Sequence, residues 1–285
     1  MPGYEKRGYL LENFRLFHLR SEGGVKVDSH YHDFCKLLLL VSGSGSYVVD
    51  GHRYLLQSGD VVLVGNRSVH LPELENSIYE RIIIYISPEL LQKASDGECD
   101  LQALFSGQYG HVLRLKEAGR KKIFSLAAAL EKELSGSEYG RVIISHTALL
   151  RLLVEIGRLL RQKDAQNPQP IIPSNPRILE LKNYLDAHAA EDINIDALAE
   201  RFYISKYHMM RLFHQEIGLP SYTYLTQRRL LNARDLIGQG MRSTEACYRS
   251  GFRSYSSFTR AYAKHFGTTP TGRVSAVQEL GEEAE

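Results

Sequence analysis

Short apolar runs alternate with turn residues between positions 36 and 86, which is the pattern of a small antiparallel sheet. Residues 36–41 form the first run, Gly43-Ser44-Gly45 interrupts it, and Asp50-Gly51 is a strong two-residue hairpin signal. Further strands are predicted at residues 46–49, 53–56, 61–64 and 79–86. Together these strands predict closure into a small β-barrel or a sandwich.

Past Pro88 the apolar residues recur at spacings of three and four, which is the period of one helix face. The clearest face consists of Leu149, Leu152, Leu153, Ile156, Leu159 and Leu160. Residues 119–134 are predicted to form its antiparallel partner. The two helices offer more apolar surface than a small barrel needs, so this surface either covers the chain's own core or forms a subunit interface. We expect a homodimer.

A proline-rich segment divides the chain. Residues 164–176 carry Pro168, Pro170, Pro173 and Pro176, so this segment cannot continue a helix and should be extended and semi-rigid. All later patterns are helical, with helices predicted at residues 177–189, 195–202, 205–217, 221–238, 243–250 and 254–266. The predicted fold class is therefore α+β, with a barrel at 1–88, a helical dimerisation segment at 89–163, the linker at 164–176, an all-α domain at 177–273 and an acidic tail at 274–285.

Charge is balanced over the whole chain but not within the helical domain. The chain has 35 Lys and Arg residues against 33 Asp and Glu, a net charge of +2, so no global argument for nucleic acid or a membrane surface is available. Residues 201–273 hold twelve Lys and Arg residues against three acids, a net charge of +9. This local excess suggests contacts to DNA phosphates, with a solvated basic face as the alternative.

The segment 195–217 has the pattern of two short helices joined by a tight turn, with Ser205 as the N-cap of the second helix. The inward face of that helix is predicted to hold Met209, Leu212 and Phe213. Its outward face carries Tyr207, Met210, Arg211 and His214. Arg can bridge O6 and N7 of guanine, and Tyr or Met can contact thymine methyl groups. The alternative is an ordinary amphipathic helix with an incidental surface Arg.

The same pattern recurs in residues 242–266. A short helix is followed by a turn at Gly251-Phe252, and Ser254 caps a helix whose inward face holds Phe258, Ala261 and Tyr262. Ser256 and Arg260 point outward, and Arg260 stands where Arg211 stands in the first unit. Both units end in Gly followed by Pro, in residues 218–220 and 267–270. The repetition favours two DNA-reading helices over a chance pattern.

Residues 205–213 with Gly218, and residues 251–270, resemble the double helix-turn-helix domain of the AraC/XylS family of bacterial transcription regulators. The resemblance implies two recognition helices that enter successive major grooves about one duplex turn apart. It assigns base contacts to Tyr207, Met210, Arg211, Ser256 and Arg260. We also expect Arg228, on the connecting helix, to affect DNA affinity without base preference.

The second unit departs from the family pattern in its first helix. Ser243, Ala246, Cys247 and Ser250 stand where family members usually have large aliphatic residues and Ala. We therefore expect this unit to be the less stable of the two. Because a buried hydroxyl without a partner is costly, Ser243 and Ser250 should find backbone carbonyls or remain partly hydrated.

Residues 24–32 and 51–70 resemble the paired motifs of a cupin barrel, and a cupin-like sensor is common in the same family. His30 and His32 project to one face of a strand, where His70 could join them. Where metal-binding cupins place a Glu, this chain has Lys36, which would oppose a divalent cation. We therefore predict no metal and no cofactor, and assign His30, His32, His70 and Lys36 to a pocket for a small organic effector. The alternative is that these histidines only satisfy backbone groups of the barrel.

These patterns predict a sequence-specific transcription regulator that responds to an effector, acts as an activator of the AraC type and is not an enzyme. Its expected partners are double-stranded DNA, a small-molecule effector, RNA polymerase and a second copy of the chain. The odd number and wide spacing of Cys35, Cys99 and Cys247, and the lack of a long apolar run, predict a cytoplasmic protein with no membrane partner. The alternatives are a metal-dependent cupin enzyme with a helical oligomerisation tail, and a DNA-binding protein without an effector.

Overall fold

The computed structural model describes residues 10, 12–22, 29–74, 78–162, 165–171 and 175–271. The acidic tail at 274–285, Arg273, Pro173 and the first part of the cupin-like motif, residues 24–28, lie outside the described residues. The strands are β1 (Phe14–Ser21), β2 (Cys35–Ser42), β3 (Ser44–Val49), β4 (His52–Gln57), β5 (Asp60–Val64), β6 (His70–Leu74), β7 (Tyr79–Ile86), β8 (Val112–Leu115) and β9 (Ala165–Gln166). The helices between them are α1 (Pro88–Ala94), α2 (Glu117–Ser135) and α3 (Arg141–Arg161).

The strands form two antiparallel sheets. One has six strands in the order β1-β7-β2-β5-β8-β9, and the other has three in the order β4-β3-β6. The predicted hairpin at Asp50-Gly51 joins β3 to β4, with φ of 48° and 85°, which are the left-handed values that such a tight turn requires. Because β8 and β9 belong to the larger sheet, the sheet extends past the boundary at residue 88 that the sequence predicted.

The larger sheet is buried on both faces. Leu37 and Leu39 of β2 pack in one hydrophobic cluster with α2 and α3, whereas Leu38 and Leu40 pack in another with Tyr47 of the smaller sheet. Burial on both faces explains why the strands are continuous apolar runs instead of alternating ones. The barrel interior therefore lies between the two sheets, with helices on the outside.

The apolar face of α3 lies in the intrachain core. Its buried residues include Leu149, Leu152, Leu153, Ile156 and Leu159, which cluster with α2 and the larger sheet. These residues therefore cover the chain's own core and do not form a subunit interface. The exposed apolar side chains of this region are found instead before and at the start of α3, at Tyr139, Val142, Ile143 and Ile144.

Within residues 175–271, six helices follow the linker and pack around a shared hydrophobic core. They are α4 (Pro176–Ala187), α5 (Ile195–Arg201), α6 (Lys206–Ile217), α7 (Ser221–Gly238), α8 (Ser243–Arg249) and α9 (Tyr255–Phe266). Pro176, the last residue of the predicted linker, opens α4 behind an N-cap in which the Arg177 amide donates to the Asn175 side chain at 3.1 Å. None of the helices in the described ranges combines the length and apolar character that a membrane span requires.

Candidate functional site

The first helix-turn-helix unit consists of α5 and α6. The turn between them is closed by the Ile204 amide, which donates to the Ala199 carbonyl at 3.1 Å, and Tyr203 occupies its left-handed position with a φ of 53°. Ser205 then caps α6 as predicted, because its hydroxyl accepts from the His208 amide at 3.4 Å. A short turn and a side-chain cap thus fix the direction in which α6 leaves α5.

The two faces of α6 differ as the helical period predicts. The buried residues of the inward face are Met209, Phe213 and Ile217, and Leu212 is partly buried. On the other face Tyr207 is 79% exposed, Met210 is 39% exposed and Arg211 is exposed. The structure therefore places all three candidate base-contact residues of this unit at the surface.

The second unit, α8 and α9, repeats this construction. Its turn is closed by the Phe252 amide, which donates to the Cys247 carbonyl at 3.2 Å, with Gly251 in the left-handed position at a φ of 93°. Ser254 caps α9 by accepting from the Ser257 amide at 3.4 Å. The buried face of α9 consists of Phe258, Tyr262 and Phe266.

The outward face of α9 carries the second arginine. Arg260 and Ser256 are exposed, and Nε of Arg260 donates to the Ser256 carbonyl at 3.3 Å. Nη2 of Arg211 lies 3.3 Å from Nδ1 of the neighbouring His208. In the described part of the chain neither arginine forms a salt bridge to a carboxylate. Both guanidinium groups are thus free to bridge O6 and N7 of a guanine.

Part of the basic charge of this domain faces inward. The Arg228 side chain is 12% exposed, and its guanidinium lies 2.7 Å from the Asp186 carboxylate and 2.7 Å from the Tyr224 hydroxyl. Arg229 donates to the Ala189 carbonyl at 2.7 Å. These arginines tie α7 to α4 and its C-terminal end. The structure does not support a direct phosphate contact by Arg228, because its guanidinium is paired with Asp186 and Tyr224 inside the domain.

The two serines that depart from the family pattern both have partners. Ser250 is buried and its hydroxyl donates to the Cys247 carbonyl at 2.9 Å, which confirms the predicted backbone partner. Ser243 is half-buried and its hydroxyl lies 2.9 Å from the Tyr255 hydroxyl. α8 therefore packs without a buried hydroxyl left unpaired at either serine.

The histidines assigned to an effector pocket lie together in the barrel. His30, His32 and His70 are each less than one tenth exposed, and the ring centroid of His70 lies 4.2 Å from that of His30 and 4.8 Å from that of His32. Backbone hydrogen bonds of 3.1 and 2.8 Å also join His30 to His70. Lys36 is 3% exposed. Its Nζ lies 5.9 Å from the centroid of the Tyr85 ring, and the His32 ring lies 5.8 Å from the same centroid.

Two ring nitrogens in this cluster are buried without a hydrogen-bond partner among the described residues. Nδ1 of His32 bonds to the Phe34 carbonyl at 2.7 Å and Nδ1 of His70 to the Ser68 carbonyl at 3.1 Å, whereas both Nε2 atoms are left unpaired. Burial lowers the pKa of both imidazoles well below the usual range, and electrostatic repulsion from neighbouring Lys36 and His30 lowers each pKa further. Among the described residues, His32 and His70 thus each bond a backbone carbonyl through Nδ1 and leave Nε2 without a partner.

The donor set does not fit a divalent metal ion. Lys36 brings a positive charge close enough to lower the pKa of both His32 and His70, and the same charge repels a cation. Within the described ranges, no group of three or more His, Cys, Asp or Glu side chains is arranged to hold a metal. The charge of Lys36 therefore opposes a divalent cation beside these histidines.

The segments that carry the histidines also contact the helical domain. Tyr31, between His30 and His32, is buried in the core of the helical domain, because neighbouring side chains on an extended segment point to opposite sides. The Tyr31 hydroxyl lies 3.0 Å from Nε2 of His265, near the end of α9. Val69, next to His70, is buried in the same core. On these two segments, the histidines therefore face the barrel interior, and Tyr31 and Val69 face the helical domain.

Polar contacts surround this interdomain junction. The ion pairs across it are Arg67 with Asp235, Arg234 with Asp33 and Lys182 with Asp50. Gly218, at the C-cap of α6, has a φ of 80°, and a Cβ added there would lie 1.9 Å from Oγ of Ser29. The barrel thus contacts α7 and the C-terminal ends of both α6 and α9.

The sequence reasoning did not identify Tyr31 and Val69 as interface residues. A signal was present, since Tyr31 stands between two histidines that were assigned to the barrel interior, and a residue between two inward positions faces outward. The partner of Tyr31 could not be predicted from the local pattern, because the helical domain is more than a hundred residues away in the sequence.

Two family models match the chain. One, described as an AraC-like ligand binding domain, matches residues 17–139, and the other, described as a helix-turn-helix domain, matches residues 198–272. The HTH-type transcriptional activator RhaS of Escherichia coli is 26% identical over 242 residues, which is 85% of each chain. Among solved structures, ToxT from Vibrio cholerae matches 90% of this chain and 95% of its own at 13% identity and a TM-score of 0.38. The DNA-binding domain of AdpA, solved in complex with a target DNA, matches 34% of this chain and 87% of its own at 26% identity and a TM-score of 0.32.

Proposed function

This chain belongs to the AraC/XylS family of transcription regulators, and we propose that α6 and α9 read DNA bases in two neighbouring major grooves. The protein is a sequence-specific DNA-binding regulator with a ligand-binding domain before its helix-turn-helix domain. The observation that supports the two-groove proposal is the matched pair of exposed arginines, Arg211 and Arg260, each six residues after a serine N-cap.

The side chains suggest different contacts for the two helices. Arg211 and Arg260 are suited to guanine, because a guanidinium can donate two parallel hydrogen bonds to O6 and N7. Tyr207 and Met210 add apolar surface next to Arg211, which suits thymine methyl groups. Ser256 can exchange hydrogen bonds with a base or a phosphate. We therefore propose a first half-site with mixed polar and apolar contacts and a second that is read by polar contacts.

We propose the cluster of His30, His32, Lys36 and His70 as the effector site. Each buried ring nitrogen without a partner costs about 1–3 kcal/mol, so groups of this kind need an explanation in a native structure. A ligand that pairs with the Nε2 atoms of His32 and His70 would recover that cost. It would thereby stabilise the conformation in which it binds.

The same cluster offers a route from effector to DNA. An occupant that moves His32 or His70 also moves Tyr31 or Val69, because these are neighbours on the same short segments. Tyr31 and Val69 lie in the core that carries both recognition helices. We propose that the effector changes the fraction of molecules in which the barrel holds α6 and α9 at the spacing that DNA requires.

We further propose that the protein acts in the cytoplasm as a homodimer and recruits RNA polymerase. The proposed dimer surface is formed by Tyr139, Val142, Ile143 and Ile144, which are exposed neighbours in sequence just before and at the start of α3 and not scattered apolar residues. Sedimentation should show a dimer that Ile143→Lys converts to a monomer. Ile171→Lys, at another exposed apolar residue, should leave the dimer intact. A monomeric wild-type protein would contradict this proposal.

Selection of duplexes from a random library tests the DNA-reading proposal. The full-length protein should enrich a motif with two half-sites, and bind it roughly 1,000-fold or more tightly than a shuffled duplex. The affinity should also fall steeply with salt concentration, because phosphate contacts release counterions. Equal affinity for selected and shuffled duplexes would contradict sequence reading by α6 and α9.

A further inference from the structure

The hydrogen bonds of His32 and His70 determine which ring nitrogen carries the proton. In both rings Nδ1 bonds to a backbone carbonyl, which can only accept, so Nδ1 must be the protonated nitrogen. In a neutral imidazole the other nitrogen then has a lone pair and no hydrogen. The two unpaired Nε2 atoms are therefore hydrogen-bond acceptors, and a ligand must bring donors to them.

Lys36 adds the opposite requirement. Its side chain is buried in the barrel, with Nζ 5.9 Å from the centroid of the Tyr85 ring. No carboxylate of the described residues forms a salt bridge with it. An ammonium group has three donors and no acceptor, so it favours an anionic oxygen. The cluster thus combines one cationic donor with two neutral acceptors.

We propose that the effector is a small carboxylate that carries hydroxyl groups, with its carboxylate on Lys36 and two hydroxyls donating to Nε2 of His32 and His70. This inference rests on the proposed effector function of the cluster. A polyol without a carboxylate would leave the ammonium without an anion. A carboxylate without hydroxyls would leave both Nε2 lone pairs unmatched. A hydroxy acid with two free hydroxyls satisfies all three groups together.

Calorimetry on the full-length protein can compare matched probes. Gluconate has the carboxylate and the hydroxyls, glucitol has only hydroxyls and hexanoate has only the carboxylate, and glycerate, glycerol and propanoate repeat the comparison at three carbons. We expect the hydroxy acid of at least one set to bind at least tenfold more tightly than both of its matched compounds. Equal binding within both sets, or no binding of either hydroxy acid, would overturn the inference.

Two variants assign the contacts to residues. Lys36→Met removes the ammonium group but keeps an unbranched apolar side chain, and it should abolish the preference for the hydroxy acid over the polyol. It should also raise the thermal midpoint of the ligand-free protein, because it removes a buried charge. His70→Phe should abolish the preference for the hydroxy acid over the plain carboxylate. Lys121→Met, at an exposed residue of α2, is the matched control and should bind as the wild type does. A folded Lys36→Met protein with unchanged preference would overturn the inference.

DNA binding separates this inference from the effector function itself. If gluconate or glycerate binds as expected but leaves the affinity for a selected duplex unchanged, the ligand class is supported and the effector role fails. If a different class of compound alters DNA affinity and His70→Phe removes its effect, the effector role is supported and the ligand class fails. Binding of Zn²⁺ that His32→Ala abolishes would also overturn the inference, because it would assign the Nε2 atoms to a metal.

Discussion

The two helix-turn-helix units have the same backbone structure but expose different side chains on their reading helices. Each has a serine N-cap, a reading helix of twelve residues and a left-handed glycine at its end. The first unit exposes Tyr207, Met210 and Arg211, whereas the second exposes Ser256 and Arg260. A common frame thus carries two chemically different surfaces, which is expected if the two helices read different bases.

The turns of the two units differ in how they are supported. Tyr203 in the first turn is 91% exposed, although its φ of 53° is unfavourable for a side chain. Gly251 holds the equivalent position in the second turn, where a Cβ would lie 2.8 Å from the carbonyl oxygens of Ala189 and Ala190. The second unit is therefore packed closely against the end of α4, and the first turn remains open to solvent. Their sensitivity to substitution should differ accordingly.

Gly251→Ala should have the largest effect on stability. The left-handed position costs Ala about 1–2 kcal/mol, and the close carbonyl oxygens add about 1–3 kcal/mol of overpacking. Gly240→Ala is the matched control, since Gly240 has a φ of 92° and open space around it. Denaturant titration of both proteins measures the difference. Equal losses would show that the second turn is not constrained by α4.

Arg211→Ala and Arg260→Ala should each weaken specific DNA binding by about 1–3 kcal/mol and leave thermal stability nearly unchanged. Arg228→Ala should instead lower stability, because it removes one buried ion-pair partner of Asp186 and the hydrogen bond to the Tyr224 hydroxyl. Fluorescence anisotropy with a selected duplex and thermal melting distinguish the two outcomes. Lys121→Ala, in the barrel domain, provides the control. A large loss of stability in Arg211→Ala would argue against its role at the surface.

Gly218→Ala and Gly267→Ala compare the ends of the two reading helices. Both substitutions cost about 1–2 kcal/mol of backbone strain. Only Gly218→Ala also displaces the barrel, because Ser29 lies against it, whereas Gly267 has open space. Gly218→Ala should therefore increase proteolytic cleavage in the linker at residues 164–176, and Gly267→Ala should not. Equal cleavage would contradict a specific contact between the barrel and the first unit.

Tyr203→Gly should have the smallest effect and the opposite sign. Removing the side chain relieves the left-handed strain at an exposed position, so the protein should gain about 0.5–1 kcal/mol of stability. Thermal melting against the wild type measures the gain. A loss of stability would show that the Tyr203 side chain makes a contact that its exposure does not suggest.

The comparison also shows where sequence reasoning succeeds. The helical period, the serine caps and the Gly-Pro stops are local signals, so α6, α9 and the exposure of Arg211 and Arg260 were predicted correctly. The hairpin at Asp50-Gly51 was predicted for the same reason. Strands β1, β6, β8 and β9 were missed. β6, β8 and β9 have five, four and two residues, which are too few to show a period, and β1 does not alternate strictly because Leu16 and Phe17 are adjacent.

Other features depend on residues that are distant in the sequence. Arg228 is a charged residue of the kind that usually lies on the exposed face of a helix. In the structure it is largely buried, because it forms an ion pair with Asp186 of α4. Tyr31 meets His265 only because the barrel lies against the helical domain. Local patterns cannot show such partners, and the interdomain junction was therefore not predicted.

The central claim is that Arg211 and Arg260 read bases in separate grooves. The most direct test is to determine the base preference at every position of the selected motif for the wild type, Arg211→Ala and Arg260→Ala. We predict that each variant loses preference at its own position, and that the two positions lie about one duplex turn, roughly 10 base pairs, apart. Loss at the same position, or an even loss of affinity without any change in preference, would contradict the account.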